Sequence, residues 1–388
     1  MKLIKNLDES EMTQIVESYE SIRVLLSSGF ARRLPKHELT DKLIQNLYHE
    51  EEAVIVSSSF KEIKEYLTVD QISERSGEED KEKLTKMLDH MVYKGTLMRG
   101  RNSTYYMFSY LPGIFEAYFT AVRDTPERLK EAGKAHRGLR KISFGADGKW
   151  PVPLPTDFNK DSAWRYVPTM EPIVRSLEIN EQLDVTNEIL PFEVLEKHLS
   201  VYEVFSETPC SCREAASLAS EACKRTDKKN GENFCIQAGD YAKGAIQNGT
   251  GKELSYDEAM KRLREAEKYG LVHSTTNKLD PSMFVCNCCP CCCMALAPVI
   301  KGYKLGAAKS NFDPVVDHDL CALCDTCIDI CPMEIIEHID DSDGEKIVMG
   351  LEGCLGCGLC ASNCPEEAIT LEKVRNDIPR QSMGNLFA

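Results

Sequence analysis

A duplicated cysteine motif near the C-terminus constrains this chain more than any other feature of its sequence. Residues 321–332 and 354–365 both follow the pattern C-x2-C-x2-C-x3-C-P, and each cysteine of the second copy lies 33 positions after its counterpart. Three thiolates at such short intervals can wrap around one iron–sulfide cube, while the cysteine before the proline leaves the loop and reaches a neighbouring cube. The duplication therefore predicts two four-iron clusters with crossed ligand sets.

The crossed pattern assigns four cysteines to each cluster. The first cluster is expected to bind Cys321, Cys324, Cys327 and Cys364, and the second is expected to bind Cys354, Cys357, Cys360 and Cys331. A zinc ribbon would need paired C-x2-C motifs rather than triplets, and a disulfide framework would need a secreted chain. Residues 311–376 thus resemble a two-cluster bacterial ferredoxin, and the resemblance implies [4Fe-4S] clusters and electron transfer.

The composition restricts the class of protein. The chain has 388 residues, of which 42% are hydrophobic and 28% are charged, as in globular proteins of two to three domains. Its 18 cysteines lie mostly in tight groups, which indicates metal binding in a reducing compartment rather than disulfides. The net charge of −15 disfavours nucleic acid and suits a basic redox partner. Since no secretory signal or membrane-spanning run is visible, we expect a cytoplasmic protein.

The expected fold class is α+β and multidomain, with a helical and winged-helix N-terminal region over residues 1–120. A capping box at Thr68 predicts a helix over residues 69–75, and a second helix is predicted over residues 81–94, followed by a hairpin. This order resembles winged-helix domains. Because acidic residues outnumber basic ones in this region, a protein-interaction module is favoured over DNA binding.

The rest of the chain divides into four further segments. Residues 121–189 contain proline-rich stretches and are predicted to form an extended linker. Residues 190–300 form a predicted cysteine-rich iron–sulfur domain, residues 311–376 the two-cluster ferredoxin-like domain, and residues 377–388 a C-terminal tail.

The middle domain carries ten cysteines that we expect to bind metal. They are Cys210, Cys212, Cys223, Cys235, Cys286, Cys288, Cys289, Cys291, Cys292 and Cys293. If residues 286–293 were extended, side chains would alternate, with Cys286, Cys288 and Cys292 on one face. The opposite face would carry Cys289, Cys291 and Cys293, and Pro290 could break this alternation. The expectation is one or two further [4Fe-4S] clusters, with zinc as the alternative.

A larger pattern resembles a known family. It comprises C-x-C-R from Cys210, a helix ending in Gly-Leu-Val-His, Asn277 and C-N-C-C-x-C-C-C, followed by the duplicated motif. Anaerobe 4Fe-4S ferredoxin-type proteins share it. The resemblance implies electron transfer in anaerobic metabolism, beside a larger oxidoreductase. His273, within this pattern, is expected to be structural.

The leading hypothesis is an electron-transfer protein that relays single electrons through three to four [4Fe-4S] clusters, as a subunit or partner of a larger oxidoreductase rather than as a stand-alone enzyme. No catalytic residue is predicted, and no nucleotide-binding motif is present. Two alternatives are a redox-responsive winged-helix regulator that binds DNA and a reductase with a catalytic cluster in the middle domain.

Overall fold

The computed structural model describes most of the chain, and all structural statements concern that part. The described residues are Ser162 and the ranges 9–28, 34–143, 164–170, 193–226, 234–300, 307–342 and 344–379. The chain divides into two compact units. The first comprises residues 1–153 and 210–222, and the second comprises residues 154–209 and 223–388.

Helices and strands are mixed in both units, which confirms an α and β chain of more than one domain. In the described ranges the helices are α1 (Glu9–Leu26), α2 (Glu38–Leu47), α3 (Glu50–Ser59), α4 (Val69–Ser76), α5 (Lys81–Lys94), α6 (Phe115–Ala121), α7 (Pro126–Ser143), α8 (Leu195–Leu199), α9 (Ser211–Leu218), α10 (Gly239–Gln247), α11 (Tyr256–Lys268), α12 (Leu296–Ile300), α13 (Thr326–Ile330) and α14 (Leu359–Ser362). None of them has the length and apolar character needed to cross a lipid bilayer.

The strands are short. Across the same ranges they are β1 (Met98–Arg99), β2 (Tyr105–Tyr106), β3 (Trp164–Tyr166), β4 (Phe205–Thr208), β5 (Cys235–Ala238), β6 (Lys252–Leu254), β7 (Val272–Thr276), β8 (Phe284–Cys288), β9 (Ala307–Ala308), β10 (Phe312–Val316), β11 (Ile336–Asp341), β12 (Gly344–Met349) and β13 (Ile369–Lys373).

In the first unit, local signals explain where the helices begin and end. The Thr68 hydroxyl accepts a hydrogen bond from the N–H of Gln71, whose side chain accepts one from the N–H of Thr68, so α4 begins with the predicted capping box. Helix α5 ends at Gly95, which has a φ of 84°. A Cβ there would lie 2.6 Å from the backbone of Ala117, so only glycine fits. The antiparallel β1–β2 hairpin follows. The winged-helix assignment stays a prediction.

The predicted extended linker differs from the structure in its first part. Residues 126–143 form helix α7, which begins with proline and buries Leu129, Ala132 and Leu139 along one stripe. The prediction gave weight to the prolines further on and overlooked this helical spacing. Residues 144–161, 163 and 171–189 of the predicted linker lie outside the described residues.

The second unit contains a seven-stranded sheet with the order β6-β4-β5-β8-β7-β3-β9. Its pairs are antiparallel except β3 with β9. Helix α11 begins with a capping box between Ser255 and Glu258. It packs Met260 and Leu263 into one core cluster with Ile236 and Val285 of the sheet. This cluster gives β5 and β8, the strands that carry cysteines, a rigid support.

The duplicated motif folds as two similar halves around two small sheets. Strand β10 pairs with β13, with Phe312 opposite Lys373, and β11 pairs with β12. Each cysteine triplet leads into a short helix, α13 in the first half and α14 in the second. We call residues 321–327 the first loop and residues 354–360 the second loop. Buried residues of both halves share one core, which includes Cys327, Cys331 and Cys360.

Candidate metal centres

The first loop and one cysteine of the second motif copy line a single cavity. The cysteines at its wall are Cys321, Cys324, Cys327 and Cys364. This is the first ligand set predicted from the sequence, and the structure brings all four members together. The apolar part of the wall consists of Val316, Ile347 and Ile369. Four thiols around an apolar cavity suit an iron–sulfur cluster, which thiolates hold and whose potential depends on solvent exposure.

The first loop turns by means of two residues with left-handed backbone conformation. Leu323 has a φ of 52° and Asp325 a φ of 60°, which are unusual values for residues other than glycine. Cys324, between them, is exposed, whereas Cys327 at the start of α13 is buried. The first site therefore lies at the surface of its domain.

The second predicted ligand set is also brought together, but in a buried environment. Burial raises the pKa of the Cys360 thiol well above its ordinary value, and the neighbouring thiols of Cys357, Cys354 and Cys331 raise it further. Burial also raises the pKa of Cys357 to about 12. A bound cation or cluster offsets this cost, because iron binds the thiolate form.

Glycines allow the second loop to pack tightly. Gly356 has a φ of 65°, and a Cβ there would lie 2.1 Å from the carbonyl oxygen of Phe312. Gly358 has a φ of 75° and lies against Thr169, whose N–H donates to the carbonyl of Cys357 at 3.0 Å. The Gly356 N–H donates to Sγ of Cys354 at 3.3 Å. Backbone N–H groups directed at sulfur are a feature of iron–sulfur sites.

A third group of thiols lies on one face of the seven-stranded sheet. Cys286 of β8 is opposite Ser274 of β7, which in turn is opposite Tyr166 of β3. Strand β5 pairs with β8 so that Ile236 is opposite Val285. The same register, extended by one residue, places Cys235 opposite Cys286. Cys288 is two residues further along β8 and therefore shares the face of Cys286.

Cys293 joins this group from the segment after β8. It is buried and packs in one cluster with Cys288 and with Cys357 of the second loop. Its Sγ accepts hydrogen bonds from the N–H groups of Ala295 at 3.3 Å and Leu296 at 3.4 Å. We call Cys235, Cys286, Cys288 and Cys293 the sheet-side cysteines.

Tyr166 connects the sheet-side cysteines with the second loop. It is 0% exposed, and within the described residues its hydroxyl has no hydrogen-bond partner. Burial raises its pKa, and the nearby thiols of Cys293, Cys288 and Cys357 raise it further. A buried hydroxyl without a partner is costly, and sulfur of a thiolate or cluster would accept its proton in a hydrogen bond. The orphaned hydroxyl therefore fits the presence of anionic sulfur at this position.

A fourth group is much tighter. Sγ atoms of Cys223, Cys289, Cys291 and Cys292 all lie within 4.8 Å of one another, and we call these residues the four-thiol group. Proximity to Cys289, Cys291 and Cys292 lowers the pKa of the Cys223 thiol. The predicted alternation placed Cys292 apart from Cys289 and Cys291, and the structure differs because β8 ends at Cys288 and residues 290–292 form a turn that begins at Pro290.

The remaining two predicted ligands lie in the first compact unit. Cys210 precedes α9 and is buried, and Cys212 lies in the first turn of that helix, followed by the buried Arg213. Helix α9 packs against α6 and α7. The role of both cysteines in metal binding stays a prediction.

His273 is structural, as the sequence suggested. Its Nδ1 lies 2.6 Å from Oδ1 of Asn287, and its Nε2 lies 3.0 Å from Oε1 of Glu267. Glu267 also accepts the N–H of Met170 at 3.1 Å. The imidazole thereby ties α11 to β8 at the residue between Cys286 and Cys288, which fixes the face those cysteines present.

Sequence reasoning missed Tyr166 as part of the site. Tyr166 falls within residues 121–189, which were predicted to form an extended linker. The signal that could have found it is the alternation of an extended segment, which puts residues 164 and 166 on one face. Strand β3 pairs with β7, which lies more than 100 residues later in the chain. The local sequence pattern could not predict this pairing.

Thiols grouped in this way define an iron–sulfur protein of the [4Fe-4S] type. Residues 313–365 match the family described as 4Fe-4S dicluster domain, and through this segment the chain belongs to the 4Fe-4S dicluster ferredoxin family. No solved structure matches the chain.

Curated relatives match a short part of the chain. The pyruvate synthase subunit PorD of Methanothermobacter marburgensis is 39% identical over 70 residues, which cover 18% of this chain and 76% of that protein. The ferredoxin of Methanothermococcus thermolithotrophicus is 36% identical, over 15% of this chain and 95% of that protein. The NADH-dependent phenylglyoxylate dehydrogenase subunit delta of Aromatoleum evansii is 41% identical, over 14% of this chain and 53% of that protein.

Proposed function

We propose that this protein transfers single electrons between a redox partner and a larger oxidoreductase, using three [4Fe-4S] clusters. The first and second loops hold two of them through the crossed ligand sets, and the sheet-side cysteines hold the third. When bound, such clusters supply one-electron oxidation and reduction, while the protein controls spacing, exposure and hydrogen bonds to sulfur. The observation that carries the proposal is that cysteines from both motif copies line one cavity.

The surroundings of the three sites support different roles. Cys324 of the first loop is exposed, so the first site suits electron exchange with an external partner. Cys357 and Cys360 are 9% and 8% exposed, and Cys357 shares a buried cluster with Cys288 and Cys293. The second site therefore suits internal transfer between the surface and the sheet-side cysteines.

Charge around the first site favours a basic partner surface. Asp325 and Glu366 line its cavity, and the chain carries a net charge of −15. Leu320, which directly precedes Cys321 and is 56% exposed, would give such a surface an apolar contact. Complementary charge mainly raises the rate of association.

The relatives support a role beside an oxidoreductase. Two of them are a subunit of pyruvate synthase and a subunit of NADH-dependent phenylglyoxylate dehydrogenase. We propose a comparable position for this chain as an electron-transfer subunit, with the winged-helix-like region over residues 69–106 recruiting the partner and anaerobic metabolism as the setting.

Metal analysis of the full chain, purified without oxygen, tests this proposal. Three cubes require about 12 irons and about 12 acid-labile sulfides per chain. A content of about 8 irons and 8 sulfides per chain would show that the third cluster is absent and that only the clusters of the two loops are present. Iron without labile sulfide, or clusters that a low-potential donor fails to reduce and an acceptor fails to reoxidise, would overturn the function itself.

A further inference from the structure

The four-thiol group differs from every other cysteine set in the described part of the chain by its short sulfur–sulfur distances. Sγ of Cys291 lies 3.7 Å from Sγ of Cys223 and 3.7 Å from Sγ of Cys292. All four sulfurs, including that of Cys289, fit within 4.8 Å of one another. Thiols this close share one site.

The distances correspond to ligands of one metal ion. Bonds of about 2.3 Å from zinc to sulfur, directed to the corners of a tetrahedron, place neighbouring sulfurs about 3.8 Å apart. Around an iron–sulfide cube each thiolate binds a different iron atom, so an iron–iron distance separates the ligands in addition to two iron–sulfur bonds. Cube ligands therefore lie farther apart than ligands that share one ion, and the four-thiol group is too compact to surround a cube.

The environment of the group fits a closed site. Cys289 and Cys292 are each 1% exposed, while Cys223 and Cys291 are half-buried. The N–H of Lys224 donates to Sγ of Cys291 at 3.4 Å, which stabilises negative charge on that sulfur. Four protein sulfurs complete a tetrahedron and leave no position for substrate, as in structural metal sites.

We propose that Cys223, Cys289, Cys291 and Cys292 bind one tetrahedral divalent ion, zinc or iron, rather than a cluster. The ion joins the segment at residue 223 to the turn after β8 and closes that turn around itself. Its ligands are flanked in sequence by Cys288 and Cys293, two of the sheet-side cysteines. The ion thus fixes the chain between those two residues. This proposal stands on sulfur geometry and does not require the electron-transfer function.

X-ray absorption and metal analysis of the wild-type full chain test the proposal directly. We expect one ion per chain that is not matched by labile sulfide and is surrounded by four sulfurs at about 2.3 Å. Absorption at the zinc edge identifies zinc, and one sulfide-free iron with the same four sulfurs identifies iron; either outcome supports the site. A fourth cube, seen as about 16 irons with matching sulfide, overturns it while leaving the relay intact.

Two variants separate this site from the clusters. Cys291→Ser, at a half-buried position, should lose the single ion and keep the wild-type amounts of iron and sulfide in clusters. The matched control, Cys324→Ser, should lose cluster iron and keep the ion. Loss of four irons and four sulfides from Cys291→Ser would contradict the proposal. If Cys291→Ser does not fold, the ion can be replaced by Co²⁺ in the wild-type protein. Cobalt bound by four thiolates in a tetrahedron has a characteristic visible absorption, which would support the site. Any other cobalt spectrum would contradict it.

Discussion

The two loops of the duplicated motif have the same backbone shape but different residues at equivalent positions. Leu323 and Asp325 of the first loop have left-handed φ values of 52° and 60°, and Gly356 and Gly358, 33 positions later, have φ values of 65° and 75°. The second loop needs glycine because Phe312 and Thr169 lie against it, whereas the first loop carries side chains because it faces solvent. The two copies share a left-handed backbone at these two positions and differ in what packs against them.

This difference suggests that the two sites take part in different steps of electron transfer. The first loop offers an exposed cysteine and acidic side chains to a partner, and the second offers buried thiols to the interior of its own unit. Exposure and hydrogen bonds to sulfur also shift cluster potentials, so the two sites should differ in potential despite identical ligands.

The largest expected effect comes from adding one carbon to the second loop. In Gly356→Ala the new Cβ would lie 2.1 Å from the carbonyl oxygen of Phe312 at a left-handed φ, so we expect about 3 kcal/mol of destabilisation or more and loss of about four irons. The measurements are anaerobic thermal unfolding and iron content.

The equivalent substitution in the first loop is the matched control. Leu323→Ala keeps the left-handed backbone that the wild type already tolerates and should cost about 1 kcal/mol from lost packing, with cluster iron retained. Equal damage from both substitutions would show that the loops do not differ in crowding.

Removal of one ligand at each site should separate surface exchange from internal transfer. Cys324→Ser should abolish fast reduction by an external protein donor while the EPR signal of the second cluster persists under a small-molecule reductant. Cys360→Ser should leave the surface site reducible and interrupt transfer beyond it. Stopped-flow reduction followed by EPR distinguishes them. If Cys324→Ser were reduced by the protein donor at the wild-type rate, the first site would not be the point of exchange.

Tyr166→Phe should change a potential without removing a cluster. The buried hydroxyl is placed to donate to sulfur beside Cys357, Cys288 and Cys293, and such a bond favours the more negative reduced state. Its loss should lower that potential by about 40 mV, the equivalent of about 1 kcal/mol for one electron.

A redox titration with EPR detection measures this shift. Tyr202→Phe serves as the control, because that hydroxyl donates to the carbonyl of Pro281 at 2.9 Å and Tyr202 packs with the core under the sheet. Identical reduction potentials in the wild type and Tyr166→Phe would show that the Tyr166 hydroxyl does not donate a hydrogen bond to a cluster.

Neutralising acidic side chains at the first site should have the smallest effect. Asp325→Asn and Glu366→Gln together should lower the bimolecular rate with a basic acceptor by about threefold at low ionic strength, and the difference should vanish at about 1 M salt. An unchanged rate at low salt would show that the partner docks elsewhere. Stopped-flow kinetics across a salt series provides the measurement.

Local signals in the sequence were sufficient for several helices and for the grouping of the cysteines at the two loops. The spacing of each triplet predicted which cysteines lie close together, and the capping box at Thr68 predicted where α4 begins. Each triplet and the capping box involve neighbours within a few residues, and the duplication itself indicates the crossed partners. The extended-linker prediction failed over α7 because buried alanines carry a weak hydrophobic signal.

Long-range pairing accounts for the rest. The sequence could not show that Cys223 meets residues of the turn after Pro290, since 66 residues separate Cys223 from Cys289. It also could not show that β3 enters the sheet beside β7 and brings Tyr166 to the cysteines. Such contacts depend on the fold of the whole unit rather than on spacing.

The bond from the Thr169 N–H to the Cys357 carbonyl bears on the order of events during biosynthesis. Strand β3 and Thr169 leave the ribosome long before β7, β9 and the second loop, with which they pair. Contacts this distant in sequence form late and slowly. We therefore expect the cell to load iron and sulfide at the second loop only after synthesis of the chain has passed Cys360, the last ligand of that set in the sequence.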